Sequence, residues 1–450
     1  MAAALSFRER FGYGIGDFAF NLFFTTAGLY LLFYYTDVLG LSPAVAGWVF
    51  AGALIWDAVF DPLMGYVASR TRTRWGRYRP YLLFGAVPLA ASWALMFLPT
   101  GLKGSALVLF AAATHILFRT LYAVVSMPFL ALSAVLTGDS HERGVLAGFR
   151  MAAAATCGLF AAFSTLKLVD LFGGGAPGFF VTAVVYGVLA TAILVFTFAS
   201  TKEAAVPAHE QLPRVRDMLR MLRRNRAFWI VSAAMLLGAF AGTFFQKTVP
   251  YYFKYTLGRE DLIGLALTLL TGAVMLSIPL WTYVMKRTSK RTMWLCGVGV
   301  GLAGYALLWI APPTVSAVLP VLVVLGLGAG AGYIGFWSMM PDTVEYGEWR
   351  SGIRAEGAIF GLVSLIQKAG LGLAAAVLGE LLAAIGYRAN TAQTPETLAA
   401  MKTIMVGAPA LIGIVVAGVI SFYPLDRKLH DRLVRALHRR NSFKIASQTG

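Results

Sequence analysis

Charge is scarce in this 450-residue chain: Asp, Glu, Lys and Arg make up 13% of it, against 58% hydrophobic residues. A mean hydropathy of +0.71 lies well outside the soluble globular range. A soluble bundle of this composition would need many buried helices without amphipathic faces, and that reading is excluded. Cysteine is almost absent. The two that occur, Cys157 and Cys296, fall in apolar runs far apart in sequence, so neither a disulfide framework nor a cysteine-based metal centre is indicated. The five histidines, His115, His141, His209, His430 and His438, are scattered, and neither GxSxG nor HExxH occurs. An enzyme therefore has nothing to rest on, and no catalytic residue or cofactor is expected. The N-terminal MAAALSFRERFG lacks the short apolar core and cleavage site of a signal peptide, so the first apolar run is expected to be a retained helix.

What remains is apolar sequence in runs of about twenty residues. Twelve are legible, the first at 11–36 and the last at 402–424. Runs this long with internal Gly and Ala read as helices, because lipid-exposed backbone must satisfy its own hydrogen bonds. The fold class expected is an all-α membrane protein with twelve transmembrane helices. The longest polar interruption, 201–226, divides a six-helix half at 1–200 from a second at 227–424, and a basic tail occupies 425–450. Two six-helix halves joined by a basic central loop suggest a secondary transporter with alternating access between the halves.

Lys and Arg concentrate in alternate connections: Arg70, Arg72, Arg74, Arg77 and Arg79; Lys202 and Arg214 to Arg226; Lys286, Arg287, Lys290 and Arg291. These connections and both termini are expected on the cytoplasmic side of an inner (plasma) membrane. Topology and anionic lipid account for the net charge of +17 without a nucleic-acid partner. In the tail, Leu429, Leu433 and Leu437 recur every four residues among basic ones, the pattern of an amphipathic helix on the inner leaflet.

Against this background a few buried charges stand out. Asp57 and Asp61, in IWDAVFDPLMG, share one helical face with about 6 Å of axial rise between them. Two carboxylates that close in low dielectric do not both ionise alone; one holds a proton, or a cation such as Na+ sits between them. Pro62 weakens the helix bond back to Ala58 and frees a further oxygen. Asp17, Arg150, Lys247 and Lys368 are the other intramembrane charges singled out. Tyr30, Tyr122, Tyr333 and Trp337 supply ring faces of the kind that stack on sugar C–H groups. Near the end of the tenth run, Asp342 and Glu345 lie three apart beside Arg354, a set expected to gate the inner side by pairing with Arg side chains of the first half.

The stretches GYGIGD, YYTDVLGLS, WDAVFDPLMG with TRTRWGRYRPYLL, MPFLALSAVLTGDSHERGVLAGFR, and DTVEYGEWRSGIRAEG with QKAG occur in this order. Together they resemble the glycoside-pentoside-hexuronide:cation symporters of the major facilitator superfamily, to which melibiose permease belongs. The resemblance implies import of a sugar or glycoside driven by H+, Na+ or Li+, by a carrier able to work as a monomer. It implies that Asp57 and Asp61 bind the cation, that Asp17 and Arg150 contact the sugar, that Lys368 lies between the two sites, and that Tyr333 replaces a pocket aromatic; Tyr122 and Trp337 are expected at the sugar by position. The chain departs from the melibiose pattern at Phe60, where an Asn assists Na+ binding, and at Ser126 and Leu130, where an Asp and a Trp serve the galactoside. Fewer oxygen ligands beside a protonatable pair favour H+ coupling or a weakly selective site. A lysolipid or other amphiphile carrier of the same fold, an uncoupled facilitator, and a channel or sensor are the competing readings.

Overall fold

The structure is a computed structural model that describes residues 5–137, 139–203, 215–353, 356–425 and, in the tail, 429, 432–433 and 435–436. Among the described residues it is helical throughout, without a β-strand.

Six helices form the first part: α1 (Phe7–Phe33), α2 (Pro43–Arg70), α3 (Arg79–Met96), α4 (Gly104–Leu136), α5 (Ser140–Leu171) and α6 (Gly175–Ser200). Local chemistry sets their ends. Ser6 caps α1 by accepting from the Glu9 backbone N–H, and the Glu9 carboxylate accepts from the Ser6 backbone N–H at 2.9 Å, a reciprocal cap. Ser42 caps α2 and Pro43 occupies its first position, where a missing N–H costs nothing. Pro62 is absorbed within α2, which continues to Arg70. The basic turn between α2 and α3 is fastened by the Glu203 carboxylate, which accepts from the backbone N–H groups of Arg77, Tyr78 and Arg79 at 2.7, 2.7 and 2.9 Å.

The remaining helices are α7 (Val215–Arg224), α8 (Arg226–Tyr251), α9 (Ile263–Arg287), α10 (Lys290–Ile310), α11 (Val315–Ser351), α12 (Glu356–Ala384), α13 (Pro395–Lys402) and α14 (Ala408–Ser421). Among the described residues, eleven helical runs are long and apolar enough to cross a membrane. The 18-residue α3, with Arg79 and Pro80 in its first turn, completes the twelve expected. The short α7 lies inside the segment read from sequence as the central loop. It forms because Met221 and Leu222 pack into an apolar cluster with Phe228, Met340 and Val344, while the basic residues share the same short helix.

α1 and α8 end alike. Each widens into a π-turn, Tyr34–Val38 and Tyr252–Thr256, followed by Leu-Gly with the glycine at φ +75° (Gly40) or +62° (Gly258). Only a residue without Cβ adopts that backbone cheaply, so the glycine stops the helix.

By contact the chain groups into two compact units: Met1–Ala208, Thr243–Thr271 and Leu371–Ile404 in the first, His209–Gly242, Gly272–Gly370 and Met405–Gly450 in the second. In the first unit α1 packs on α5 and α6, α2 on α4, and α3 on α4 and α6; in the second α11 packs on α10 and α7, and α14 on α10. Leu433 of the tail is buried in the apolar cluster of the second unit, and Leu437 lies outside the described residues.

Candidate functional site

Asp57 stands midway along α2 and is 0% exposed. Its neighbour on α4 is a residue the sequence reading did not single out. Arg119, 1% exposed, brings Nη1 to 3.7 Å from Asp57 Oδ2, an ion-pair distance longer than a hydrogen bond. One turn earlier on α4, His115 Nε2 accepts from Arg119 Nε at 3.4 Å. The His115 ring in turn packs edge-on against Phe50 of α2, with centroids 5.6 Å apart. On the same Phe50 ring lies the buried ammonium of Lys247, 4.0 Å from its centroid, donating to the Gly28 carbonyl at 2.7 Å. Asp61, one turn beyond Asp57, is also buried. Tyr122 is within electrostatic reach of Asp17, Asp57, Asp61 and Arg119 together.

The second charged pair of this unit joins α1 to α5. Arg150 donates to Asp17 Oδ1 at 3.1 Å, with the guanidinium 5.4 Å from the Phe129 centroid. Ser126, buried on α4, makes no hydrogen bond through its hydroxyl among the described residues. Phe60 stacks on Trp56 at 5.8 Å, whose indole N–H donates to Thr120 at 2.9 Å. Leu130 is exposed. Six of the residues expected at the site, Asp17, Asp57, Asp61, Tyr122, Ser126 and Arg150, thus belong to the first unit.

The others belong to the second. Tyr333 and Trp337, one turn apart on α11, are 47% and 43% exposed, and Tyr30, an early aromatic candidate, instead lies buried in the first unit with its hydroxyl on the Ala162 carbonyl. Lys368 is partly buried on α12. Of the expected gate, Asp342 is held by Lys290 of α10 through both carboxylate oxygens at 2.7 Å, Glu345 follows three residues on in α11, and Arg354 lies outside the described residues. No cluster of three or more metal-ligating side chains occurs among the described residues.

A third charged centre sits where α1 ends. Asp37 accepts from the hydroxyls of Thr36, Tyr255 and Tyr387 at 2.8, 2.5 and 2.6 Å, and Lys254 lies 3.1 Å away. Asn390 donates to the Asp37 backbone carbonyl at 2.7 Å. Burial, then the nearby Tyr251 and Asp37, push the Tyr387 hydroxyl well above the usual phenol range, which keeps its proton available for donation. The hub ties the end of α1 to the end of α8 and to the segment between α12 and α13.

Residues 12–427 match the family model described as MFS/sugar transport protein. The chain belongs to that family. Within it, this member of the sugar transport family is 34% identical to the isoprimeverose transporter of Lactiplantibacillus pentosus, over 96% of this chain and 92% of that one. It is 33% identical to an uncharacterized symporter of Bacillus subtilis, YnaJ, covering 97% and 96%, and 30% identical to the glucuronide carrier protein homolog of Escherichia coli, covering 98% and 97%. The family is the one the glycoside-pentoside-hexuronide resemblance pointed to, and its members are transporters rather than enzymes. Among solved structures, a bacterial homologue of the human lysosomal transporter Spinster matches with a TM-score of 0.68 at 12% identity, covering 95% of this chain and 98% of that one. The nucleoside transporter NupG matches at 0.67 and 14%, covering 92% and 99%. At such identities the likeness concerns the major facilitator fold alone. The family and the eleven apolar helices make this an integral membrane protein that carries a small molecule.

Proposed function

We propose that the chain is a cation-coupled symporter that imports a sugar or glycoside by alternating access, with H+ or Na+ as the coupling ion. The observation that carries this reading is the Asp57 carboxylate, wholly buried with Asp61 one turn away in a chain whose relatives are sugar transporters and symporters. A buried acid pair is costly unless it is charge-balanced, and a balance that changes with ion loading is what coupling needs. Asp17 with Arg150 offers a sugar one carboxylate and one guanidinium, a donor and acceptor set matched to vicinal hydroxyls. Tyr122 and Ser126 extend that surface, and Tyr333, Trp337 and Lys368 are the further residues we assign to the substrate. Cation and sugar affinities are then reciprocally linked.

The basic loops support an inner-membrane orientation with both termini in the cytoplasm. In that orientation α2 runs from the external side at Pro43 to the cytoplasmic side at Arg70, so the Asp37 hub is an external closure. Asp342, Glu345 and Arg354 belong to the cytoplasmic gate. The family resemblance favours a carrier that works as a monomer.

Uptake of radiolabelled glycosides, pentosides, hexuronates and a lysolipid into proteoliposomes, under imposed H+ or Na+ gradients, tests the proposal. One sugar class is expected to accumulate with a gradient, and the Asp57→Asn/Asp61→Asn double variant is expected to lose that accumulation. Uptake that ignores both gradients and the substitutions would point to a facilitator; lysolipid uptake alone would move the cargo to amphiphiles.

A further inference from the structure

The feature left unused by that mechanism is Arg119. Nothing in a sugar pocket requires a guanidinium that is 1% exposed, and nothing but its chemistry explains its place 3.7 Å from Asp57. A guanidinium does not lose its proton at any physiological pH. Its other near partner cannot carry the charge for it: His115 Nε2 accepts from Arg119, so that nitrogen holds no proton. The single residue Phe50 carries Lys247 on its face and His115 at its edge, which places a second buried basic group on the same side of α2. Two other charged groups of this unit have partners of their own: Asp17 of α1 faces Arg150 of α5, and Glu380 of α12 accepts from the Trp48 indole of α2 at 2.8 Å. An ion entering beside Asp57 therefore meets positive charge that is covalently fixed.

We propose that Arg119 is a built-in cation at Asp57, one that takes the place of Na+ and makes coupling in this carrier independent of Na+. The inference rests on the symport reading and sharpens it, because it assigns the coupling ion by exclusion. A unit charge about 4 Å from a bound Na+ weakens its binding roughly thousandfold at the effective dielectric of protein interiors. A proton is not subject to the same constraint, since it binds covalently to one carboxylate oxygen and needs no shell of ligands. Asp57 then has Arg119 as a fixed counter-charge, and the carboxylate pair it forms with Asp61 exchanges the coupling proton.

The test is equilibrium binding of radioactive sodium to the purified full chain in detergent at neutral pH, with no sugar present. The native protein is expected to show no saturable binding. Arg119→Ala is expected to gain a saturable site, and the Arg119→Ala/Asp57→Asn double variant to lose it again. Saturable binding by the native chain that Asp57→Asn removes would overturn the proposal, as would a folded Arg119→Ala protein that binds no sodium. Where Arg119→Ala fails to fold, the native and Asp57→Asn arms decide alone. If no sugar enters proteoliposomes under any gradient, the symport reading falls while the sodium result stands, because binding requires no transported sugar.

Discussion

Asp37 and Asp57 lie in the same unit, and both are buried carboxylates facing a cation, yet they are built in opposite ways. Asp37 takes three hydroxyl donors within 2.8 Å, with Lys254 at 3.1 Å. Lys254 is itself shared with Asn390 at 2.8 Å and Glu260 at 3.8 Å. Beside Asp57 the guanidinium stands off at 3.7 Å, and Arg119 Nη1, His115 Nδ1 and Ser126 Oγ make no hydrogen bond among the described residues. A carboxylate saturated by short hydrogen bonds resists change, since every alternative arrangement loses several charge-assisted bonds. A pair held by Coulomb attraction at longer range keeps its charge balance while its ligands rearrange. The first is suited to closing a face, the second to a centre whose loading alters during a cycle.

The largest test of the contrast is a double-mutant cycle on Asp57 and Arg119. Either Asp57→Ala or Arg119→Ala leaves a buried charge behind, and each is expected to cost about 3–5 kcal/mol of stability. The double variant is expected to cost less than the sum, because it removes both charges together. Unfolding in denaturant, followed by tryptophan fluorescence, gives the four values. Additive losses would mean that the two groups do not share a charge balance.

Next comes the effect on transport. Asp61→Asn is expected to lower gradient-driven uptake about 100-fold, roughly 2.7 kcal/mol, and to leave sugar exchange between equal concentrations much less affected. Asp37→Asn is expected to slow uptake and exchange alike, since Lys254 keeps Asn390 and Glu260 and only the closure is weakened. A selective loss of gradient dependence in Asp37→Asn would reverse the two assignments.

What the sequence made legible follows from the range of each signal. Hydropathy runs are local, so all twelve long helices could be placed, and the four-residue spacing of Asp57 and Asp61 put both carboxylates on one face without any knowledge of neighbours. Arg119 escaped because one basic residue inside the 33-residue α4 barely changes a hydropathy average. The signal was present nonetheless: His115 and Arg119, four apart in an apolar run, share a face as Asp57 and Asp61 do. Asp37 was not singled out, because an acid at the end of an apolar run is ordinarily solvated. Its partners come from residues 218 and 350 positions away, which no local pattern reports. The matching YYTDVLG and YFKYTLG endings of α1 and α8 were the available hint.

Tyr387→Phe sharpens the comparison on the saturated side. It removes one hydroxyl that donates to Asp37 at 2.6 Å, a hydrogen bond to a charged acceptor, and about 1.5 kcal/mol or somewhat more should be lost. Amide hydrogen exchange in Tyr34–Val38 and Tyr252–Thr256 should rise with it. Unchanged protection in both π-turns would show that Tyr255 and Lys254 hold the hub without Tyr387.

The smallest effect expected is on the unsaturated side, at Ser126. Its buried hydroxyl has no hydrogen-bond partner among the described residues, so Ser126→Ala removes a polar group that gains nothing in the sugar-free protein. Deleting an unsatisfied buried hydroxyl is neutral or slightly favourable, within about 0.5 kcal/mol. With sugar present the sign should turn: a hydroxyl held free by the fold is available to a substrate hydroxyl, and its loss should raise KM a few-fold while the maximal rate holds. Stability and KM therefore move independently at this position, whereas at Tyr387 the expected loss is one of stability. A clear loss of stability in Ser126→Ala would mean that the hydroxyl already has a structural partner, and the contrast between the filled hub and this wall would narrow to Arg119 and His115 alone.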